Sequence, residues 1–310
     1  MKSTSMRDAF FNRLYEIARK DKNVMIISAD MGAPSLDKFR KDLTPQFINT
    51  GIAEQNMVTV ATGLALNGKK VYTYAIMAFV ALRCYELIKV DFSIMDLPVK
   101  IVGVGAGFSY HDSGPTHHST EDITAMRVLP NMVILNASDS IMAEKFADIS
   151  YKSKEPTYVR LDREIQPNIY RQTDNFLNGL TKLTDGKDIC IIATGNMVHI
   201  ALEVSKMLKK NSIEAEVIDL YRIKPINTKL LFNYIEKVKH LVTIEEHLLA
   251  GGMGSAVAEI LADNNKMLPL KRIGIQDKYY YAYGGRKNIQ SICGLDPNSI
   301  TKTILKWVKL

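Results

Sequence analysis

Apolar residues recur along the chain in two alternating patterns that together predict an α/β fold. Residues 5–20 carry apolar side chains at helical spacing, and Val24–Ser28 is a continuous apolar run of strand length. Short continuous runs are typical of parallel strands that are buried on both faces. Further strands are predicted at residues 70–75, 98–104, 132–137, 157–161, 189–193, 215–220, 241–245 and 272–275. Their alternation with helical patterns predicts mostly parallel sheets flanked by helices.

A polar stretch divides these patterns into two series. Residues 164–187 are polar and contain Pro167, Gly179 and Gly186, so we predict a linker at 166–187. This leaves a first domain at 1–165 and a second at 188–310, each a mostly parallel sheet flanked by helices. A chain of 310 residues with 46% hydrophobic content is long enough for two such domains with sizeable cores.

Charge and cysteine usage narrow the classes of function. The net charge is +7, but no basic run is interleaved with aromatic residues, which argues against nucleic acid and favours a surface that attracts small anionic substrates. Cys84, Cys190 and Cys293 are too few and too scattered for a disulfide framework, and they suit a reducing compartment. We find no signal-peptide pattern and no apolar run long enough for a bilayer. We therefore expect a cytoplasmic protein without a membrane partner.

Residues 49–57, Asn-Thr-Gly-Ile-Ala-Glu-Gln-Asn-Met, predict a short loop leading into a helix. Asn49 or Thr50 stands where a side chain caps the first turn. Glu54 lies in that turn, where the helix dipole favours a carboxylate, but its small apolar surroundings make desolvation costly. The local pattern by itself favours a carboxylate satisfied by backbone amides over a functional acid.

Residues 103–120 form a glycine-rich loop with three histidines, His111, His117 and His118. A loop histidine is either structural or a proton-transfer group. With Glu121 the histidines also suggest zinc, but their spacing matches no common zinc pattern, and we predict no metal site in this chain. Gly251–Gly254 is an incomplete phosphate-loop pattern, and we interpret its glycines as allowing close helix–sheet packing.

Together these motifs resemble the transketolase family over nearly the whole chain. Gly51-Ile-Ala-Glu-Gln-Asn-Met with the later Thr62-Gly-Leu-Ala is similar to the pyrimidine-binding domain, and Glu245-Glu-His with Gly251-Gly-Met-Gly-Ser is similar to the C-terminal domain. The resemblance implies the thiamine-diphosphate pyrimidine-binding fold followed by the transketolase C-terminal-like fold. It also implies a transferase that moves a two-carbon ketol unit from a ketose to an aldose. In this family the C-terminal domain carries no catalytic residue.

The resemblance assigns residues to the aminopyrimidine ring of thiamine diphosphate. Glu54 matches the carboxylate that bonds a ring nitrogen and supports the cofactor's own imine as a base. Phe79 matches an aromatic side chain stacked on the ring, and the spacing to Arg83 also fits. Ile76 stands where some members carry another aromatic residue. Asp30 follows a predicted strand, as a similar Ser-Ala-Asp does in the family, and is explained equally well as a loop or cap residue.

The substrate end of the site is implied by the same resemblance. His117, in Gly-Pro-Thr-His, matches the active-site histidine, whose imidazole stabilises a developing oxyanion and shuttles protons. His118 stands where the family usually has Gln. Ser113 aligns with the Asp that reads a substrate hydroxyl, unless Asp112 reaches that place through a shifted loop.

The phosphate-binding set differs from that of sugar-phosphate transketolases. Gly103 replaces a phosphate-contacting His. Arg163 matches a phosphate-binding Arg, with Arg160 close by, although either is equally explained as a surface residue. This thinner basic set predicts an acceptor other than an ordinary pentose phosphate.

No Gly-Asp-Gly motif occurs in this chain, although transketolases use it to bind the diphosphate and its divalent cation. The resemblance therefore implies the C-terminal subunit of a split transketolase. A separate partner would carry the diphosphate-binding domain and most ligands to Mg²⁺ or Ca²⁺, with two copies of each chain in the complex. The alternatives are a 2-oxoacid dehydrogenase β chain, a 1-deoxyxylulose-5-phosphate synthase-like enzyme, and an inactive regulatory or scaffolding homologue.

Overall fold

The computed structural model describes residues 4–308, in which two β-sheets are each flanked by helices. The strands of the first half are β1 (Val24–Ser28), β2 (Phe47–Asn49), β3 (Lys70–Ile76), β4 (Lys100–Val104), β5 (Val133–Asn136) and β6 (Thr157–Leu161). The helices are α1 (Met6–Ala18), α2 (Pro34–Asp42), α3 (Glu54–Leu66), α4 (Tyr85–Leu87), α5 (Asp122–Arg127) and α6 (Ser140–Lys152). A 3₁₀ turn spans Thr44–Gln46, and π-helical segments at Phe79–Arg83 and Ile88–Ile94 flank α4.

The second half of the chain forms a smaller sheet. The strands of this half are β7 (Thr181–Thr184), β8 (Ile189–Ala193), β9 (Ala215–Asp219), β10 (Arg222–Lys224), β11 (His240–Leu248) and β12 (Leu270–Ile275). All of them except β10 belong to the smaller sheet. The helices of this half are α7 (Met197–Lys209), α8 (Thr228–Ile235), α9 (Met253–Asp263), α10 (Arg286–Ile292) and α11 (Pro297–Val308). No helix within residues 4–308 has the length and apolar character needed to cross a membrane.

Both sheets are parallel except at one edge. The strand order of the first sheet is β10-β5-β6-β4-β3-β1-β2, and β10 runs antiparallel to β5. The order of the second is β12-β11-β8-β9-β7, and β7 runs antiparallel to β9. Every residue of β1, β4, β6, β8 and β9 is buried, which agrees with the mostly apolar sequences of these strands. The predicted fold class is confirmed.

Two edge strands depart from the sequence pattern. β7 lies inside the stretch predicted as a linker, and its residues are only partly buried, so it lacks the apolar run of a central strand. β10 belongs to the second half of the chain but pairs with β5 of the first sheet. Such short edge strands are held by pairing rather than by their own apolar pattern. The two halves are therefore joined by a shared sheet as well as by side chains.

Candidate cofactor and substrate site

The site begins at the first residue of α3. Glu54 is only 3% exposed, and Arg83 Nη1 donates a hydrogen bond to its Oε2 at 2.6 Å. Within residues 4–308 this is the one hydrogen bond that the Glu54 side chain makes, so its other oxygen keeps its accepting capacity. The alternative of a carboxylate satisfied by backbone amides is therefore not what the structure shows.

The predicted capping of α3 is wrong. The helix has Ala53 at its N-cap and no side-chain cap. Asn49 instead accepts hydrogen bonds from the backbone N–H groups of Asp30 and Gly51, each at 3.0 Å, and its amide donates to Asp30 Oδ1 at 3.1 Å. The side chain thus ties the end of β2 to the end of β1, and the uncapped first turn remains open beside Glu54.

A π-helical segment supplies the next two groups. Within Phe79–Arg83 the guanidinium carbon of Arg83 lies 4.4 Å from the centroid of the Phe79 ring. This distance is that of a cation–π contact. Arg83 therefore contacts the buried acid and the aromatic ring at the same time, and the three side chains form one continuous surface.

The histidine-rich loop closes on this surface. The His117 ring stands edge-on to Phe79, with 5.0 Å between ring centroids, and lies 6.0 Å from Tyr110. Thr116 Oγ1 lies 2.9 Å from His117 Nδ1, which leaves Nε2 as the nitrogen free to face a ligand. The two strongest motifs of the sequence, around Glu54 and around His117, thus meet through Phe79.

The far side of the loop carries an exposed cation. The guanidinium carbon of Arg163 lies 4.9 Å from the Tyr110 ring centroid, and Nη1 lies 3.9 Å from Asp112 Oδ1. Both charged side chains are about half exposed, and Ser113 is exposed next to Asp112. Arg163, Asp112 and Ser113 are therefore accessible to a polar or anionic ligand that also reaches His117.

Asp30 and Ile76 lie at the same edge of the first sheet. Ile76 ends β3, and the pairing of Ser28 with Tyr74 places the end of β1 beside it. Asp30 is exposed with a φ of 52°, a backbone conformation that Asp adopts more readily than most residues. The roles of both residues stay predictions.

Two residues predicted at the substrate end face the interior instead. Arg160 is 3% exposed, and its Nε and Nη2 donate to the Asp122 carboxylate at 2.6 and 3.0 Å. His118 is buried with its ring edge-on to Phe108, and desolvation lowers its pKa. The expectation that Arg160 or His118 contacts substrate is not supported by these positions, because each side chain is turned toward other protein groups.

The glycine-rich turn before α9 is occupied by the protein's own carboxylate. Glu245 accepts hydrogen bonds from the backbone N–H groups of Met253 and Gly254 at 2.6 and 2.8 Å, and burial raises its pKa to about 7. A Cβ at Gly252 would lie 2.3 Å from Glu245 Oε2. The interpretation of these glycines as packing residues is confirmed, since the N-terminus of α9 has no room for a phosphate.

Sequence analysis missed the residues that hold the base of the histidine loop. Glu246 of β11 accepts a hydrogen bond from the backbone N–H of Phe108 at 3.0 Å, and Arg286 donates to Glu246 at 2.6 Å and to Asp162 at 2.7 Å. Only the motif Glu245-Glu-His pointed to this region, and nothing in the local sequence marks Arg286. Within residues 4–308, no group of three or more His, Cys, Asp or Glu side chains is arranged to hold a metal ion.

Family comparisons agree with this geometry. The family described as "Transketolase, pyrimidine binding domain" matches residues 2–167, and "Transketolase, C-terminal domain" matches residues 180–300. This chain belongs to the transketolase family. The chain is 37% identical over 306 residues to a subunit of the apulose-4-phosphate transketolase of Phocaeicola vulgatus, covering 98% of this chain and 97% of the relative. It is 36% identical over 309 residues to a putative transketolase C-terminal section of Methanocaldococcus jannaschii, covering 98% and 96%.

A solved structure extends the likeness to three dimensions. A split gene transketolase, described as an inactive beta4 tetramer, superposes with a TM-score of 0.89 at 32% identity and covers 99% of both chains. The predicted resemblance to a split transketolase subunit is confirmed, and the dehydrogenase and synthase alternatives are weaker. Membership of the transketolase family implies thiamine diphosphate as the cofactor.

We expect Glu54→Gln to abolish nearly all turnover of the assembled enzyme and to leave the fold intact. Gln keeps the shape of the side chain and can still accept from Arg83, but it removes the carboxylate. Steady-state turnover and thermal unfolding of the variant provide the measurement. Glu203→Gln, at an exposed position of α7, is the matched control and should leave both quantities at wild-type values. Wild-type turnover in Glu54→Gln would exclude a catalytic carboxylate at this position.

Proposed function

We propose that this chain is the pyrimidine-binding subunit of a two-chain, thiamine-diphosphate-dependent transketolase. The observation that carries the proposal is the contact of Glu54, Arg83, Phe79 and His117 at one edge of the first sheet. The chain contains no Gly-Asp-Gly motif, so we assign the diphosphate and its divalent cation, Mg²⁺ or Ca²⁺, to a second polypeptide. The retained acid, ring and imidazole argue against an inactive scaffolding homologue.

The residues at this edge fit the aminopyrimidine end of the cofactor. Glu54 offers a buried carboxylate oxygen with unused accepting capacity, and Phe79 is partly exposed beside it. Arg83 and His117 both contact the Phe79 ring, and the part of the ring that stays exposed offers an aromatic surface to a flat heteroaromatic ligand. When bound, the cofactor supplies the carbanion chemistry of ketol transfer. Arg83 holds the Glu54 carboxylate in place, and with the cofactor bound Glu54 would hold or share a proton with a nitrogen of its aminopyrimidine ring.

His117 is the group that we assign to the substrate oxygen. Its Nδ1 is next to Thr116, and its edge-on contact with Phe79 limits the orientation of the ring. Nε2 then faces the open side of the site, where an imidazole can hold or move a proton near neutral pH. His117 thereby stabilises negative charge that develops on the substrate oxygen.

The acceptor that fits this chain is a sugar phosphate other than an ordinary pentose phosphate. Arg163 is an exposed cation at the far end of the site, with Asp112 and Ser113 beside it to bond hydroxyl groups. At Gly103 an added Cβ would lie 3.0 to 3.2 Å from atoms of Met77, so an apolar side chain occupies the space of a phosphate-contacting histidine. The Phocaeicola vulgatus relative is named for apulose-4-phosphate.

An exposed apolar surface beside the site fits the second polypeptide. Ile52, two residues before Glu54, is 80% exposed, and Ile94, at the end of the π-helical segment, is 67% exposed. Val90 of the same segment and Met95, which follows it, are also exposed. This segment packs against α3, the helix that begins at Glu54, and exposed apolar patches often mark protein–protein interfaces. We propose that the partner covers this surface, with two copies of each chain related by two-fold symmetry.

His117→Ala should lower turnover by about 10²- to 10⁴-fold while cofactor affinity changes little, because the proposed role concerns the substrate oxygen. Titration calorimetry with thiamine diphosphate and steady-state kinetics of the assembled enzyme separate the two effects. His111→Ala, in the same loop, serves as the control for disturbance of the loop. A collapse of cofactor binding in His117→Ala would make His117 a cofactor or structural residue instead.

In a panel of phosphorylated aldoses, we expect ribose 5-phosphate not to be the best acceptor. Arg163→Met should weaken binding of phosphorylated acceptors by about 1.5–3 kcal/mol, since a charged hydrogen bond is lost. Arg171→Met is the control, because this exposed arginine forms an ion pair only with Asp174 among residues 4–308. Ribose 5-phosphate as the preferred acceptor, with unchanged kinetics in Arg163→Met, would contradict this assignment.

The isolated chain should be catalytically silent and should bind thiamine diphosphate weakly. It offers the aminopyrimidine a carboxylate and a ring, but the cofactor's most charged part is the diphosphate, which needs a divalent cation and oxygen ligands. Calorimetry of thiamine diphosphate with magnesium should be run on this chain alone and then on the mixture with the partner polypeptide. Tight binding and full turnover by the isolated chain would refute a two-chain enzyme.

A further inference from the structure

We infer that Arg286, in the second half of the chain, is a positioning residue for the loop that carries His117. The inference rests on the proposed role of His117 in handling substrate. Among the contacts described above, the second half of the chain places no side chain next to Glu54 or His117. The inference gives this half a definite part in the site.

The histidine loop is closed at its base by one backbone bridge. The Gly107 N–H donates to Ser119 O at 3.1 Å, and the Ser119 N–H donates to Gly107 O at 2.9 Å. The two ends of the segment 108–118 therefore meet at this bridge. The contacts that hold the bridge then determine the orientation of the whole loop. Gly107 has a φ of 56°, and a Cβ there would lie 2.0 Å from Glu246 Oε2, so the base is pressed against β11.

Arg286 makes direct and indirect contacts with this base. It is 5% exposed, and its Nη2 donates to the Ala106 carbonyl at 3.2 Å and to Glu246 Oε2 at 2.6 Å. The same Glu246 oxygen accepts from the Phe108 N–H at 3.0 Å. The guanidinium thus fixes the backbone on either side of Gly107.

The same guanidinium holds the segment that carries Arg163. Its Nη1 donates to Asp162 Oδ2 at 2.7 Å and to Glu164 Oε2 at 3.3 Å, and these two carboxylates flank Arg163 in sequence. Asp162 Oδ1 also accepts from Ser109 Oγ at 2.6 Å, which ties the loop to this segment a second time. Both candidate substrate residues, His117 and Arg163, therefore depend on one buried side chain.

The shape of the guanidinium explains why arginine is needed. Its planar fork presents donors in several directions at once, and here they serve Glu246, Asp162 and a carbonyl. A lysine ammonium is a point charge on a flexible stem and would leave some of these buried acceptors without a donor. Glu54 and Phe79 lie on other elements and make no hydrogen bond with Arg286 or its carboxylates in the described residues. Cofactor binding is therefore expected to be insensitive to Arg286.

Arg286→Lys and Arg127→Lys form a matched pair for the test. Arg127 also joins the two halves, since it donates to the Gly251 carbonyl at 2.6 Å and pairs with Glu259. In the part of the chain that the structure describes, its side chain makes no hydrogen bond or ion pair with the histidine loop. Hydrogen–deuterium exchange of the isolated chain should show amides of 107–119 exchanging about tenfold faster or more in Arg286→Lys, because local opening becomes easier. The same amides should exchange at the wild-type rate in Arg127→Lys.

Kinetics of the enzyme assembled with its partner supply the second measurement. Arg286→Lys should lower kcat/KM by about 10- to 100-fold through misplacement of His117 and Arg163, with the dissociation constant of thiamine diphosphate within about twofold of wild type. Ser109→Ala removes only the bond to Asp162 and should act in the same direction with a smaller effect, which provides a test if Arg286→Lys does not fold.

Unchanged loop exchange in Arg286→Lys, or an equal increase in both lysine variants, would overturn the inference. So would wild-type loop exchange in Ser109→Ala when Arg286→Lys cannot be made. The test of Arg286 can be distinguished from the test of the proposed function. A wild-type pair of chains without transketolase turnover would refute the function, whereas the exchange measurement on the chain alone would still decide whether Arg286 holds the loop.

Discussion

The carboxyl ends of neighbouring parallel strands meet at one edge of the first sheet, and every part of the site depends on that constraint. Strands β6, β4, β3, β1 and β2 are consecutive in the sheet. The segments that leave them bear, in the same order, Arg163, His117, Phe79, Asp30 and Glu54. Parallel pairing therefore gathers side chains that are far apart in sequence into a row at the edge where open α/β sheets place ligands. In the proposed function, this row runs from the substrate end at Arg163 to the cofactor end at Glu54.

Charge pairing by arginine is the second feature of this edge. Asp122 is paired by Arg160, and Asp162 and Glu246 are paired by Arg286, in each case with both partners buried. These pairs are fully enclosed, so breaking one would leave an uncompensated buried charge. The Glu54–Arg83 pair is different, because the carboxylate is buried while the guanidinium is about half exposed. It is the one of these pairs that a ligand or a second chain can still reach, which fits a role at an interface.

The two halves of the chain are more interdependent than a division into a catalytic and an accessory domain suggests. β10 extends the first sheet, while Arg127 reaches from α5 to the turn before α9, and Arg286 reaches back to the histidine loop. A split transketolase subunit that retains both halves therefore retains the support of its own substrate loop. In the proposed two-chain enzyme, the division between the polypeptides falls between the groups for the aminopyrimidine and those for the diphosphate. The proposed substrate residues and their support then lie on one chain.

The apolar pattern of the sequence was enough to predict the fold class and most central strands, and its family motifs singled out Glu54, Phe79 and His117, which the structure brings together. It could do so because buried parallel strands are continuous apolar runs, and because the motifs around Glu54 and His117 are local in sequence. The sequence could not show that Arg160 is buried while Arg163 is exposed. That difference depends on Asp122, which lies 38 positions from Arg160 in sequence and pairs with it in the interior.

Which charged side chains are buried in ion pairs and which stay exposed depends on the tertiary structure. Arg286 shows this most clearly, because its partner Asp162 is 124 positions away and no local pattern connects them. Asn49 shows it on a smaller scale, since a side chain suited to cap α3 is used to join two strand ends. Local patterns record what a segment prefers, whereas the pairing of buried charges is settled by which segments the sheet brings together.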